Sequence, residues 1–249
     1  MNRLTHEIAR SLASVTGLFA RANQARVGTR VLLFHDISTK SSTGDIYSIP
    51  HSRFGGGIER LANWAVSHDV QFVPFSESPV PGVTVTFDDG YKSTLEIAAP
   101  ILVNRAIPFH VFLTRDFARS NNSRYLNEAD IQRLLSLPLA SVGIHGTSHQ
   151  RLSSLPTSRV KDEILGARAW LEDLTSRPIT TISYPHGSFN DAVVDILREE
   201  QFTAAACSSV GTYRDHEHRL QIPRVDIWSL DQPQDLLRKT RGNWDFLLP

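Results

Sequence analysis

Short β-branched runs alternating with helix-period segments predict an α/β protein built on parallel strands, because parallel neighbours need a crossover between them. Two observations narrow this to a closed β/α barrel in a single domain. Seven or eight such units fit into about 230 residues, and no glycine-rich dinucleotide fingerprint follows an early strand.

Taken along the chain, residues 1–24 carry Arg3, Arg10 and Arg21 around a weakly apolar stretch over 11–20. The outline fits a cleaved export signal. Glu7, Thr16 and Gly17 break the apolar run, however, while Ile8, Leu12, Val15 and Phe19 recur at helical spacing. The reading is an amphipathic extension over 1–28 packed on a catalytic domain over 29–249, with the cytoplasm favoured and export as the alternative. Val31–Ile37 reads as the first strand, and Phe54, Ile58, Leu61, Ala62 and Ala65 mark the helix face after it. The run Gly55-Gly56-Gly57 fits either a flexible entry to that helix or an anion cradle at its start.

Further strands are predicted at Val70–Val73, Val83–Phe87, Phe109–Thr114, Ser141–Ile144, Ile179–Tyr184, Phe202–Cys207 and Ile222–Trp228. Helical patterns over Leu95–Asn104, Glu128–Leu137, Ser158–Leu174 and Asp191–Glu200 fill the intervals, with Thr157 or Ser158 and Asn190 as caps. Trp64 and Trp170 fall on helical patterns and read as packing residues.

Composition excludes several classes of function. The chain has 249 residues, 41% of them hydrophobic and 21% charged, which is too apolar for disorder. Its formal net charge is zero, so it lacks the basic footprint of a nucleic-acid binder. No apolar run reaches the roughly 18 residues of a transmembrane helix. The single cysteine, Cys207, rules out an internal disulfide and a Cys-built zinc site. No feature of the chain specifies an oligomeric state.

Chemistry concentrates at three strand ends. Val83–Phe87 runs into Asp88-Asp89-Gly90. Paired acids at the carboxyl end of a barrel strand sit where active sites of that architecture lie, although Asp-Gly also suits a plain turn. Adjacent carboxylates repel unless a cation or a proton separates their roles. Ser141–Ile144 runs into His145-Gly-Thr-Ser-His149, two imidazoles four residues apart, a spacing that places both rings on one face of a helical turn. One Asp and two His make three ligands and leave a position for water, the catalytic rather than the structural arrangement of a metal site. Zinc suits that donor set best, with cobalt, nickel or manganese as alternatives. The third end, Ser183-Tyr184-Pro185-His186, fits pocket walls and backbone donors or an ordinary turn. His216-Glu217-His218 lies in a charged loop and reads as solvated rather than as a second metal site.

Together these stretches resemble the polysaccharide deacetylases of the NodB-homology class, carbohydrate esterase family four. Thr86-Phe-Asp-Asp-Gly90 matches the first family motif, His145-Gly-Thr-Ser-His149 the second, and the likeness runs from about residue 30 to 230. The resemblance implies a distorted (β/α)7 barrel that removes acetyl groups from N-acetylated amino sugars, in a polysaccharide, oligosaccharide or glycolipid precursor, with one divalent metal ion. It also implies Asp88 as general base and Asp89, His145 and His149 as metal ligands; Ser148, inside the second motif, reads as holding the loop rather than reacting.

Two departures carry their own expectations. Where the family's third motif reads R-x-P-Y, this chain has Ser183-Tyr184-Pro185-His186. The motif arginine is missing, and Arg224 is the candidate replacement beside Asp88, a structural ion pair being the competing role. Tyr184, the backbone of His186 and Trp228 are the candidates for substrate and oxyanion contacts, a core role being equally open to Trp228. No late L-x-I-x-x-H segment is present, and some relatives are circularly permuted with the final strand moved to the front. Val31–His35 is then that strand and His35 the general acid, lying near Asp226 because barrel closure sets the first strand beside the last. Removal of a formyl or other acyl group on the same fold, and carbohydrate binding without catalysis, are the alternative functions. No G-x-S-x-G elbow supports a serine esterase.

Overall fold

A computed structural model describes residues 3–16, 24–41 and 44–245. The helix α1 (Arg3–Thr16) precedes a sheet whose strands are β1 (Thr29–Phe34), β4 (Gly82–Phe87), β5 (Phe109–Leu113), β6 (Ala140–Ile144), β7 (Thr181–Ser183), β8 (Ala204–Ala206) and β9 (Arg224–Asp226), with the short pair β2 (Asp36–Ser38) and β3 (Ser48–Pro50) outside it. All seven sheet strands are parallel, in the order β8-β7-β6-β5-β4-β1-β9. A parallel bridge from Ala206 to Ile222 nearly closes the ring, so the expected distorted seven-stranded barrel is the observed fold. Every residue of β1, β4 and β5 is buried, as befits parallel strands covered on both faces.

The crossovers are α2 (His51–Ser67), α3 (Ala99–Val103), α4 (Arg115–Ala118), α5 (Glu128–Leu135), α6 (Thr157–Thr175) and α7 (Asp191–Glu199), and α8 (Pro233–Arg241) follows the last strand. A π-helical turn over Thr94–Ala98 leads into α3. The predicted strand at Val70–Val73 is a loop joined to β4 by the single bridge Phe72–Val83 and by Thr84 Oγ1 donating to the Val73 carbonyl (3.0 Å). Asn190 caps α7 through Val193 N (3.0 Å), whereas the N-cap of α6 is Pro156 and neither Thr157 nor Ser158. The three glycines 55–57 lie inside α2, past its first turn, and not at its start. A Cβ on Gly57 would meet Leu236 Cδ2 at 2.8 Å, so the glycine lets α8 approach closely.

The charged α8 carries no apolar stripe strong enough to announce it, yet it anchors the amino-terminal helix. Arg10 Nε donates to Asp235 Oδ2 (2.8 Å), and His6 Nε2 meets Asp231 Oδ1 (2.9 Å). Asp231 also binds the buried ammonium of Lys239 (2.6 Å), which donates to the Asp226 carbonyl (2.8 Å) and lies 3.9 Å above the Trp228 ring. The face of α1 against the barrel is thus His6, Ala9 and Arg10. Ile8 and Leu12, expected inside, are 55% and 50% exposed, and the side chains of Val15 and Phe19 lie outside the described residues. Among the described residues no helix is long and apolar enough to cross a membrane.

Candidate active site

The carboxyl ends of the strands surround a cleft of about 280 Å³ lined by His35, Asp88, Asp89, His145, His149, His186 and Asp226 among others. Each stretch that the sequence singled out for chemistry therefore delivers a side chain to one place. Strand β4 ends in Asp88 and Asp89; Asp89 and Gly90 both adopt left-handed backbone (φ 70° and 74°), which turns successive carboxylates in different directions. Strand β6 ends in His145, and the two imidazoles meet with ring centroids 4.9 Å apart. They meet through a tight loop, not the helical turn expected, with Gly146 and His149 at φ 78° and 62°.

Buried Glu163 on α6 holds that loop. Its carboxylate accepts from Thr147 N (3.1 Å), Ser148 N (2.9 Å) and Ser148 Oγ (2.6 Å), so the Ser148 hydroxyl serves the loop.

One ligand atom each from Asp89, His145 and His149 lie within 4.8 Å of one another. Asp89 Oδ1 stands 3.1 Å from His149 Nε2 and 3.5 Å from His145 Nε2, buried and without a hydrogen bond. His145 Nδ1 lies 2.8 Å from the Ser183 carbonyl, which can only accept; Nδ1 therefore carries the proton and Nε2 presents its lone pair. Burial pushes the His145 pKa down against the pull of Asp88 and Asp89, favouring the neutral ring that ligates metals. Burial also opposes ionisation of Asp89, but the neighbouring imidazoles of His149, His145 and His35 outweigh it and hold the carboxyl below its usual range. An orphaned carboxylate oxygen facing two imidazoles suits a divalent cation. Among the described residues this is the one such cluster, and His216 and His218 are exposed outside it.

Asp88 sits beside the cluster in a different bonding state. Arg224 Nη1 and Nη2 reach its Oδ1 and Oδ2 at 2.7 Å each, and Ser183 Oγ donates to Oδ2 (2.9 Å). Burial works against this carboxylate, yet the Arg224 charge prevails and holds it well below the ordinary range. Arg224 comes from β9, whereas Ser183 occupies the position where the third motif would carry arginine.

Strand β1 lies between β4 and β9 with Leu33 opposite Asp226, which brings His35 and Asp226 to the same cleft. Their expected orienting contact is absent: His35 Nδ1 and Asp226 Oδ1 are each buried without a hydrogen-bond partner, and the His35 ring packs on Tyr47 at 4.6 Å. Burial raises the Asp226 pKa. His186 lines the cleft in left-handed backbone (φ 58°), 4.4 Å from the His149 ring.

Two candidates lie elsewhere. Tyr184, one residue past β7, is fully buried and absent from the cleft lining, with its hydroxyl donating to the Leu220 carbonyl (2.7 Å). Trp228 packs under Lys239 beside His6, away from the cleft. Tyr47, Tyr91, Arg151 and Ser208 line the cleft and carried no sequence signal, because loops without periodicity supply them.

A family profile described as "Polysaccharide deacetylase" matches residues 76–205. YxkH of Bacillus subtilis, provisionally named a polysaccharide deacetylase, is 20% identical over 207 residues, 79% of this chain and 70% of that protein. Among solved structures, the deacetylase PplD of Streptococcus pyogenes in complex with acetate is 16% identical with a TM-score of 0.73, over 86% of this chain and 99% of that one. BC0361, a polysaccharide deacetylase from Bacillus cereus, is 20% identical with a TM-score of 0.72, over 86% and 69%. IcaB from Ammonifex degensii is 21% identical with a TM-score of 0.70, over 87% and 97%.

Proposed function

Because the chain belongs to the polysaccharide deacetylase family, we propose that it is a metal-dependent hydrolase removing the N-acetyl group of an amino sugar within a polysaccharide, oligosaccharide or glycolipid precursor. The observation that carries the reading is the convergence of Asp89, His145 and His149 on one point with Asp88 beside them. The catalytic unit in this proposal is 29–249, with 1–28 as an amino-terminal extension whose helix α1 docks on α8.

A divalent cation held by Asp89, His145 and His149, zinc first among the candidates, supplies Lewis acidity toward the amide carbonyl and lowers the pKa of water to about 7. Asp88 accepts the proton of the attacking water. Arg224 and Ser183 keep that carboxylate ionised and aimed, because a bidentate guanidinium fixes both oxygens. His35 reaches the cleft from β1 and donates a proton to the departing amine, with Asp226 nearby. The backbone N–H of His186 faces the developing oxyanion; Pro185, lacking an N–H, takes no part.

Acetate release from N-acetylglucosamine oligomers and other N-acetylated amino sugars tests the proposal. Zinc-loaded protein turns over at least one of them, a chelator abolishes turnover, and Asp88→Asn lowers it about 100-fold or more while zinc stays bound. Release that survives chelation, or none across the panel from protein with zinc shown to be bound, overturns the reading. His35→Ala at the wild-type rate removes His35 as the acid.

A further inference from the structure

The cleft holds one charge that the proposed reaction does not use. Arg151 is exposed and, among the described residues lining the cleft, is the one lysine or arginine. Its guanidinium makes no hydrogen bond or ion pair with any described residue, whereas nearby arginines are engaged: Arg115 with Asp116 (3.0 Å), Arg119 with Glu128 (3.7 Å) and Arg124 with Asp45 (3.2 Å).

The root of Arg151 is nevertheless fixed. Its carbonyl accepts from Ser154 N (3.1 Å) and Ser154 Oγ (2.7 Å), and Ser153 Oγ is bonded to Ser188 Oγ (2.7 Å), tying this loop to the segment after His186. On the same side Ser208 lines the cleft with its hydroxyl unbonded to any described residue, packed so close that a Cβ on Gly187 would lie 2.9 Å from its own. Across the barrel stand His35 and Tyr47, with the metal-site residues between.

A planar guanidinium with an anchored backbone and no acceptor is suited to an oxyanion. Arg224 already offsets Asp88, and Asp89 faces the proposed cation, so Arg151 is the cationic side chain of the cleft that no carboxylate there engages. We propose that Arg151, together with Ser208 of the same cleft, forms an anion subsite, and that the N-acylated sugar taken here carries a carboxylate or a phosphate close to the reacting amide. This specifies the substrate class of the same site and rests on the proposed deacetylation.

Isothermal titration of the zinc-loaded protein with N-acetylglucosamine, N-acetylglucosamine 6-phosphate and N-acetylmuramic acid reads binding apart from turnover. At least one acidic sugar binds about tenfold more tightly than the neutral one, and the phosphate and carboxylate arms show which oxyanion is taken. Arg151→Ala reduces the preference to about twofold or less, Arg151→Lys keeps part of it, and salt near 0.5 M weakens it. Equal affinity for all three sugars, no detectable binding of either acidic one, or a preference that Arg151→Ala retains overturns the subsite. Since affinity is read rather than acetate, a failed subsite leaves deacetylation standing, and acidic-sugar binding without acetate release does the reverse.

Discussion

Arg224 and Asp88 form a fully desolvated, bidentate pair, and removing either partner strands the other in the barrel interior. Arg224→Ala is expected to cost about 3–5 kcal/mol of stability, read as a lower urea midpoint, because the uncompensated carboxylate remains buried. Arg224→Lys, with one point charge in place of the fork, keeps more stability but mis-aims Asp88 and lowers turnover. His110 is a second buried group with a measurable signature. Its Nδ1 meets Ser141 Oγ (2.7 Å), its Nε2 meets Thr181 Oγ1 (3.1 Å), and burial pushes its pKa from 6.5 down to about 3. The unfolded chain takes up this proton near pH 6.5 and the folded one near pH 3. Its stabilising contribution is therefore complete above pH 6.5 and lost as the pH falls through that window. His110→Gln flattens the slope of unfolding free energy against pH between about 3 and 6.5, checked by denaturation at each pH. At this scale the acids and imidazoles were legible because Asp88-Asp89 and His145…His149 end apolar strands. Ser183, Arg151 and Glu163 were not, since their partners lie 15 to 95 residues away or are solvent.

Elements explain which expectations held. Apolar strands such as β1, β4 and β5 were readable, while Val70–Val73 has the composition of a strand but only a single bridge to the sheet. The loop joining His145 to His149 is imposed by Gly146 and by Glu163 on α6, so its geometry belongs to a helix that begins eight residues later. Glu163→Ala frees Thr147 and Ser148 from their acceptor and is expected to weaken zinc binding about 10- to 100-fold, measured by competition with a chromophoric chelator. The apolar period of the amino-terminal segment marks a helix but not the face that it buries. Buried Asp231 and Asp235 recruit His6 and Arg10, and those pairs, rather than Ile8 and Leu12, set its rotation. Deleting residues 1–23 uncovers Trp244, now 1% exposed, and is expected to red-shift tryptophan emission together with a lower melting temperature.

For the whole molecule, the proposed metal ligands come from the ends of β4 and β6, and Asp88, the proposed base, is held from β7 and β9, so metal binding there is linked to the folding of the ring. Zinc at about 1,000 times its dissociation constant is expected to add about 4 kcal/mol to the unfolding free energy, visible as a melting temperature that rises with metal and falls with chelator. The barrel class was legible from the alternation of periods. That one strand joins the beginning to the end was legible only through the missing late histidine.

Strand β1 is bonded on one edge to β4 and on the other to β9, nearly two hundred residues further on. As the chain leaves the ribosome, Thr29–Phe34 can acquire its first neighbour early, but the second edge waits until Arg224 emerges. Throughout that interval a wholly apolar ribbon, Val31-Leu32-Leu33-Phe34, offers an open row of peptide groups to any other nascent chain. Synthesis halted before residue 224 should therefore yield a product that chaperones retain, and release should follow once the final strand has been made.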